Sequence, residues 1–335
     1  MAAQAAADDD LPRAVIVAGP TASGKSALAL ALAERVGGAV INADSMQVYR
    51  ELRILTARPT PAEEARVPHL LFGVRSAAEP ADAAWFRQAA LAAMEAVRSA
   101  GRVPILCGGT GLWLDALVRG IAVIPAVPEP VRRSARALAA EIGAPALHAR
   151  LAARDPATAA RLAPGDTQRV IRAWEVLEAT GEGLAVWWQR PALPPAPWRF
   201  AHVALDPPRA AVRAAIDARF LAMIEAGALE EVRALATLSL DPALPAMRAH
   251  GVPPLLAAIR GAIPLEEAIA RGQAMVRQYA KRQATWFRHH ALAPPDRTFA
   301  IRAWIGSGAQ FSDMRMADLF AFIDDFLLTR RTIAG

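Results

Sequence analysis

The octapeptide Gly19–Ser26, GPTASGKS, sits between the apolar run RAVIVA and the helix-forming run ALALALAERV. It satisfies G-x-x-x-x-G-K-[ST], a loop whose glycines let several backbone N–H groups turn toward one point. A helix beginning near Lys25 adds the positive end of its dipole to the same point. Such a loop needs a buried strand behind it and a helix in front, so it constrains the fold more than any other stretch of the chain. Gly19, Pro20, Thr21, Ala22, Ser23, Gly24, Lys25 and Ser26 are the candidate phosphate-binding residues. Lys25 supplies a point charge, and Ser26 a hydroxyl for a metal ion, expected to be Mg2+. The motif specifies a polyphosphate and a metal, and it leaves the rest of the ligand open.

Three more short apolar runs read as buried parallel strands: GAVINAD (38–44), VPILCGG (103–109) and RFAHVALD (199–206), beside RAVIVAG (13–19). Helical patterns lie between them at about 24–36, 82–100 and 112–119. Strands alternating with helices predict a doubly wound sheet with ligands at the carboxyl ends of its strands. The expected fold is α/β: a P-loop NTPase-like parallel sheet flanked by helices, with an inserted all-helical subdomain. Proline-rich joints, IPAVPEP and RPALPPAPW, mark the edges of that insertion. The expected division is a discontinuous core of 11–124 and 198–292, an insertion of 125–197, and a C-terminal tail of 293–335. Further helices are expected at 208–237, 253–291 and in the tail segment DMRMADLFAFIDDFLL.

The net charge of +6 comes almost wholly from arginine, because Lys25 and Lys281 are the only lysines. A basic chain suits a polyanionic partner such as nucleic acid. The single cysteine, Cys107, excludes an internal disulfide and a cysteine-rich zinc site. A cytoplasmic protein is expected, since the acidic start MAAQAAADDDLPR resembles no export or mitochondrial address. No apolar run is long enough to span a membrane.

Two aspartates end predicted strands opposite the phosphate loop, Asp44 and Asp206. Either suits a metal-steadying role, and Asp44 also suits a general base. Gln47, three residues beyond Asp44, is either a reader of an adenine edge or part of a solvated helix face. Near the far end, EEAIARGQAMVRQYAKRQATWFRHH reads as one amphipathic helix. At 100° per residue, Arg277, Lys281 and Arg288 fall within about 40° of one another. Met275, Tyr279 and Trp286 make a separate apolar stripe expected to face the core.

The segments GPTASGKS, NADSMQVYR, LTARPT, VPHL, ILCGGTGLWL, DTQRVIRAWEV, PAMRAHG and AKRQATWFR resemble, in order and spacing, those of the tRNA dimethylallyltransferases of bacteria. The resemblance runs from about residue 13 to 290. It implies transfer of a dimethylallyl group from dimethylallyl diphosphate to N6 of the adenine beside the tRNA anticodon. The phosphate loop then holds an isoprenoid diphosphate in place of a nucleotide. The resemblance makes Asp44 the base that takes the amine proton. It places Thr110 near the donor's bridging oxygen and the substrate adenine, Lys25 on the leaving diphosphate, and Arg219 on pyrophosphate. It assigns contacts with the tRNA anticodon stem-loop to Asp44, Ser45, Met46, Gln47, Thr110, Arg132, Gln168, Arg169, Arg172, Arg248, Lys281, Arg282, Gln283 and Arg288.

The chain departs from the family pattern at Leu55 (family Gly), Arg58 (family Lys), Leu70 (the second of a His-His pair), Trp113 (family Tyr) and Val252 (family Tyr). A small-molecule P-loop kinase would use the same loop for ATP. An ATP-switched nucleic-acid binder would make no covalent product, and an isopentenyltransferase acting on free adenine nucleotide would need no RNA. The segments at 168–172 and 281–288 favour the tRNA enzyme, acting as a monomer.

Overall fold

The computed structural model describes residues 10–190, 192–305 and 313–328. The described residues pack as two units, one of 10–118 and 196–328, the other of 119–195.

In the larger unit, β1 (Arg13–Ala18) enters the phosphate loop and α1 (Lys25–Val36) leaves it. Gly24 starts the helix at φ 90° and Gly37 ends it at φ 63°, conformations that side chains rarely adopt. β2 (Gly38–Asn42) follows, then a short α2 (Pro61–Arg66) closed by a Thr60–Glu63 capping box. β3 (His69–Leu70) precedes α3 (Ala83–Ser99), whose N-cap Asp82 accepts from the N–H of Trp85. β4 (Val103–Gly108) leads to α4 (Gly111–Val118).

The smaller unit holds β5 (Ile121–Ala122), α5 (Glu129–Ile142), α6 (Ala144–Arg154), α7 (Pro156–Ala159), α8 (Thr167–Thr180), α9 (Leu184–Trp187) and β6 (Ala192–Leu193). It is helical as expected, except that β5 and β6 pair antiparallel near its two ends. Its core gathers Leu147, Leu151, Val170, Trp174 and Leu177. Glu175, 5% exposed, lies near Arg172 and Arg136 of that unit.

The chain then returns to the larger unit through β7 (Arg199–Leu205), α10 (Arg209–Glu225), α11 (Ala228–Thr237), α12 (Val252–Ile259), α13 (Leu265–His289), β8 (Thr298–Ile301) and α14 (Asp313–Leu328). Gly227, at φ 101°, splits the helical stretch expected at 208–237. The turn from Arg260 to Pro264 splits that expected at 253–291.

The six strands run parallel in the order β3-β2-β4-β1-β7-β8. The four predicted strands are its four central members. β3 and β8 are the edges that the sequence did not announce. The stretch left as a tail therefore supplies one strand and, through α14, part of the core around Leu319, Ile323 and Phe326. Trp113, in place of the family tyrosine, is 3% exposed and stacks on Phe86 at 4.6 Å, a setting that offers a hydroxyl nothing to gain.

Candidate active site

The carboxyl ends of β1, β2 and β4 converge on one place. Ala43 N–H donates to Cys107 C=O and Thr110 N–H to Ala43 C=O, so the two strand ends are laced together. A Cβ on Gly108 would lie 2.1 Å from the Ala43 backbone, so only glycine permits this approach. The lacing sets Thr110 beside the Asp44 turn. Thr110 Oγ1 accepts from Ser45 N–H at 2.9 Å and lies 3.2 Å from Ser45 Oγ.

Asp44 is braced from both sides. The fully buried Asn42 accepts from Asp44 N–H at 2.8 Å through Oδ1 and donates to Asp44 C=O at 3.0 Å through Nδ2. Asp44 Oδ1 accepts from Met46 N–H at 3.0 Å. Sequence reasoning passed over Asn42, though an Asn two residues before an Asp is a recurrent turn brace.

Two cations face Asp44. Burial pulls the Lys25 ammonium below its ordinary range, and the Asp44 charge opposes that shift. Arg219 of α10 is shifted the same way for the same reason, again opposed by Asp44. Arg219 also donates to Thr21 Oγ1 at 2.5 Å. One carboxylate for two desolvated cations leaves an unmet need for negative charge. Ser23 adds an unsatisfied polar group within the loop, its Oγ fully buried without a hydrogen-bond partner.

A pocket opens from this polar end. Thr21, Asp44, Arg219 and Tyr279 line its charged part, and Met46, Leu55, Ile216, Phe220, Met223 and Val276 its apolar part. A charged part beside an apolar sleeve suits a ligand with a phosphate head and a short hydrocarbon body. Leu55, one of the departures from the family pattern, lies in the sleeve.

The placement of α13 corrects the sequence reading. Its buried positions are Ala268, Gly272, Ala280 and Gln283, so small residues make the core contact. A Cβ on Gly272 would lie 2.3 Å from the Phe220 ring. The expected stripe of Met275, Tyr279 and Trp286 is not the core face. Tyr279 lines the pocket, and its hydroxyl, raised by burial and by the Asp44 charge, hydrogen-bonds with Thr110 and Gln283. His250 packs on the Tyr279 ring at 4.4 Å and also lines the pocket. Trp286 lies over Gly111 and stacks on His290. The motif spacing around Tyr279 could have found it, and His250 stands in PAMRAHG, just before the departure from the family at Val252.

Two expected RNA contacts are corrected. Gln283 is 4% exposed; its Oε1 accepts from Thr21 N–H and its Nε2 donates to Gly109 C=O, both at 2.8 Å. An amide so enclosed touches loops, not RNA. Gln47 spends both amino hydrogens on the carbonyls of Thr56 and Ala57, at 2.9 and 2.8 Å, so it cannot offer them to an adenine edge.

The remaining cations lie on the exposed side of α13. Lys281 and Arg282 are exposed. Arg277 pairs with Asp217, and Arg288 with Asp206 at 3.0 Å. That ion pair occupies Asp206, the second candidate for steadying a metal. Arg209, Arg213, Arg277, Lys281 and Arg288 line a cleft beside Pro20 of the phosphate loop. Arg248 is exposed after α11, where it donates to Ala243 C=O. Arg132, Gln168, Arg169 and Arg172 belong to the smaller unit; Gln168 and Arg169 are exposed at the start of α8.

The fold and site define a phosphate-loop α/β protein whose loop opens on a small apolar pocket. The IPP transferase family profile matches residues 47–290. The tRNA dimethylallyltransferase of Granulibacter bethesdensis is 57% identical over 94% of this chain and 98% of its own. That of Rhodospirillum centenum is 60% identical over 83% of this chain and 89% of its own. Among solved structures, the tRNA isopentenylpyrophosphate transferase of Bacillus halodurans is 31% identical, with a TM-score of 0.67 and coverage of 95% of this chain and 97% of its own. A eukaryotic dimethylallyltransferase acting on tRNA superposes with a TM-score of 0.75 at 25% identity, covering 94% of this chain and 79% of its own. The chain belongs to the IPP transferase family and is an enzyme, a prenyl transferase.

Proposed function

We propose that the protein transfers the dimethylallyl group of dimethylallyl diphosphate to N6 of the adenine beside the tRNA anticodon. The observation that carries this reading is one pocket lined both by Asp44 and the desolvated Arg219 and by apolar side chains, with the desolvated Lys25 acted on by both of those charges. The full-length relatives named for the same reaction support it.

In the reaction, the allylic C–O bond breaks and the electron pair leaves with pyrophosphate. Lys25, Arg219 and the loop amides stabilise the charge that grows there. The adenine N6 lone pair forms the new C–N bond, and Asp44 takes the amine proton. Asn42 and the Met46 N–H hold that carboxylate in place. Thr110, tied to Ser45 and Tyr279, is the residue proposed to meet the inserted base beside the donor. The adenine must leave its stack to reach this point, at a cost of a few kcal/mol that contacts to the RNA backbone offset.

The loop offers hard oxygen donors in the Ser26 hydroxyl and the unpartnered Ser23 Oγ, and the Asp44 charge acts on the neighbouring Lys25. This set fits Mg2+, which is held by one or two protein oxygens together with substrate phosphates. Ser26 would hold the ion, and Mg2+ would supply further neutralisation of the leaving diphosphate.

Arg132, Gln168, Arg169, Arg172, Arg248, Lys281, Arg282 and Arg288 are the proposed RNA contacts. A monomer working in the cytoplasm agrees with a tRNA substrate. Among the described residues, no helix is long and apolar enough to cross a membrane.

The test is pyrophosphate release from dimethylallyl diphosphate with and without tRNA, in the absence of ATP. Release that depends on tRNA is expected. ATP hydrolysis without any use of the prenyl donor would overturn the reading.

A further inference from the structure

Gln283 is a neutral amide buried in the last third of α13, directly after the exposed Lys281 and Arg282. A carboxamide carries an acceptor and a donor on one rigid plane. Here both are used on backbone groups from the loops that follow two different strands. Oε1 takes the N–H of Thr21, just after β1, and Nε2 gives to the C=O of Gly109, just after β4. β1 and β4 are neighbours in the sheet. Gln283 therefore spans the two loops that hold the donor and the acceptor, the phosphate loop on one side and the Thr110 loop on the other.

The fit is tight. A Cβ on Gly109 would lie 2.1 Å from Nε2. Tyr279, one turn earlier, adds a hydroxyl to the same group through Thr110 and Gln283. The bond also commits the Thr21 N–H, so that amide serves the brace and not the bound phosphate.

We infer that Gln283 is a positioning residue that sets the spacing between the diphosphate of the donor and the amine of the acceptor. It touches neither. The inference deepens the transferase reading and rests on it for the rate measurements below.

Few side chains can replace the amide. Leucine fills the space and leaves a buried N–H and a buried C=O unpaired. An ionised glutamate accepts from Thr21 but cannot donate to Gly109. A protonated glutamate does both, so Gln283→Glu converts the brace into one that depends on pH.

The experiment compares Gln283→Leu and Gln283→Glu with the wild type, using transfer kinetics, tRNA affinity and pyrophosphate affinity by calorimetry. For Gln283→Leu, kcat falls about a hundredfold, as for a misplacement of about an ångström. Its tRNA affinity stays unchanged and its pyrophosphate affinity falls about tenfold, equivalent to ~1.4 kcal/mol. For Gln283→Glu, the ratio of variant to wild-type rate rises as pH falls from 8 to 6, because protonation restores the donor. Wild-type kcat and pyrophosphate affinity in the leucine variant, or a pH-independent rate ratio in the glutamate variant, would overturn the inference. Failure of the wild type to modify tRNA would sink the transferase reading instead, and the pyrophosphate titrations would still decide the role of Gln283.

Discussion

Trp304 donates its indole N–H to the carbonyl of Ala22 at 2.9 Å. Ala22 is a residue with a side chain at φ 60°, at the bend of the phosphate loop. The next residue, Ile305, packs so close to Gly24 that any Cβ there would collide with it at 2.2 Å. The stretch after β8 thus helps hold the loop in shape, although nothing in its sequence suggests a role at the site. Trp304→Phe keeps most of the ring and removes the bond. The expected result is a rise of a few-fold in KM for dimethylallyl diphosphate, matching about 1 kcal/mol for one hydrogen bond, with little change in tRNA affinity. Steady-state kinetics with each substrate varied in turn checks it.

Asp44→Asn preserves shape and the bond from Met46 while removing the base. We expect kcat to fall by 10²- to 10⁴-fold, with tRNA binding intact. Single-turnover transfer alongside filter binding separates the two quantities. Normal turnover would remove Asp44 from the proton transfer.

Lys281→Ala tests the basic face of α13. If Lys281 meets a backbone phosphate, the variant binds tRNA more weakly, and its slope of log affinity against log salt flattens by about 0.7 to 0.9. An unchanged slope would place the RNA elsewhere.

His202 offers a prediction about stability. It sits in the central strand β7 at 3% exposure, with neither ring nitrogen hydrogen-bonded. Burial lowers its pKa from 6.5 to about 4. Between those values the unfolded chain binds a proton that the folded chain refuses, so stability falls as pH drops through this window. The loss amounts to about 3 kcal/mol by pH 4, at ~1.4 kcal/mol per pH unit. His202→Leu should flatten the fall in thermal midpoint between pH 6.5 and 4 relative to the wild type. Parallel melting curves would contradict the assignment.

The phosphate loop and the four inner strands were legible because each is a local pattern: a glycine-lysine motif, or a short apolar run bounded by turns. β3 and β8 were not legible, since edge strands of two and four residues leave no periodic trace. Gln283 and Tyr279 show a different limit. The sequence reading took Gln283 for an RNA contact and Tyr279 for part of an apolar stripe facing the core. Gln283 is instead buried against two loops and Tyr279 lines the pocket, while the small residues Gly272 and Ala280 make the close contact with the core. The opposed charges of Lys25, Arg219 and Asp44 come from three distant segments, and only the fold brings them together.

The most direct test is incorporation of radiolabelled dimethylallyl diphosphate into unmodified bacterial tRNA, with Mg2+ and without ATP, followed by nuclease mapping. The account predicts label in the RNA, confined to the adenine beside the anticodon. Label on added AMP but not on RNA, or no transfer of label at all, would contradict it.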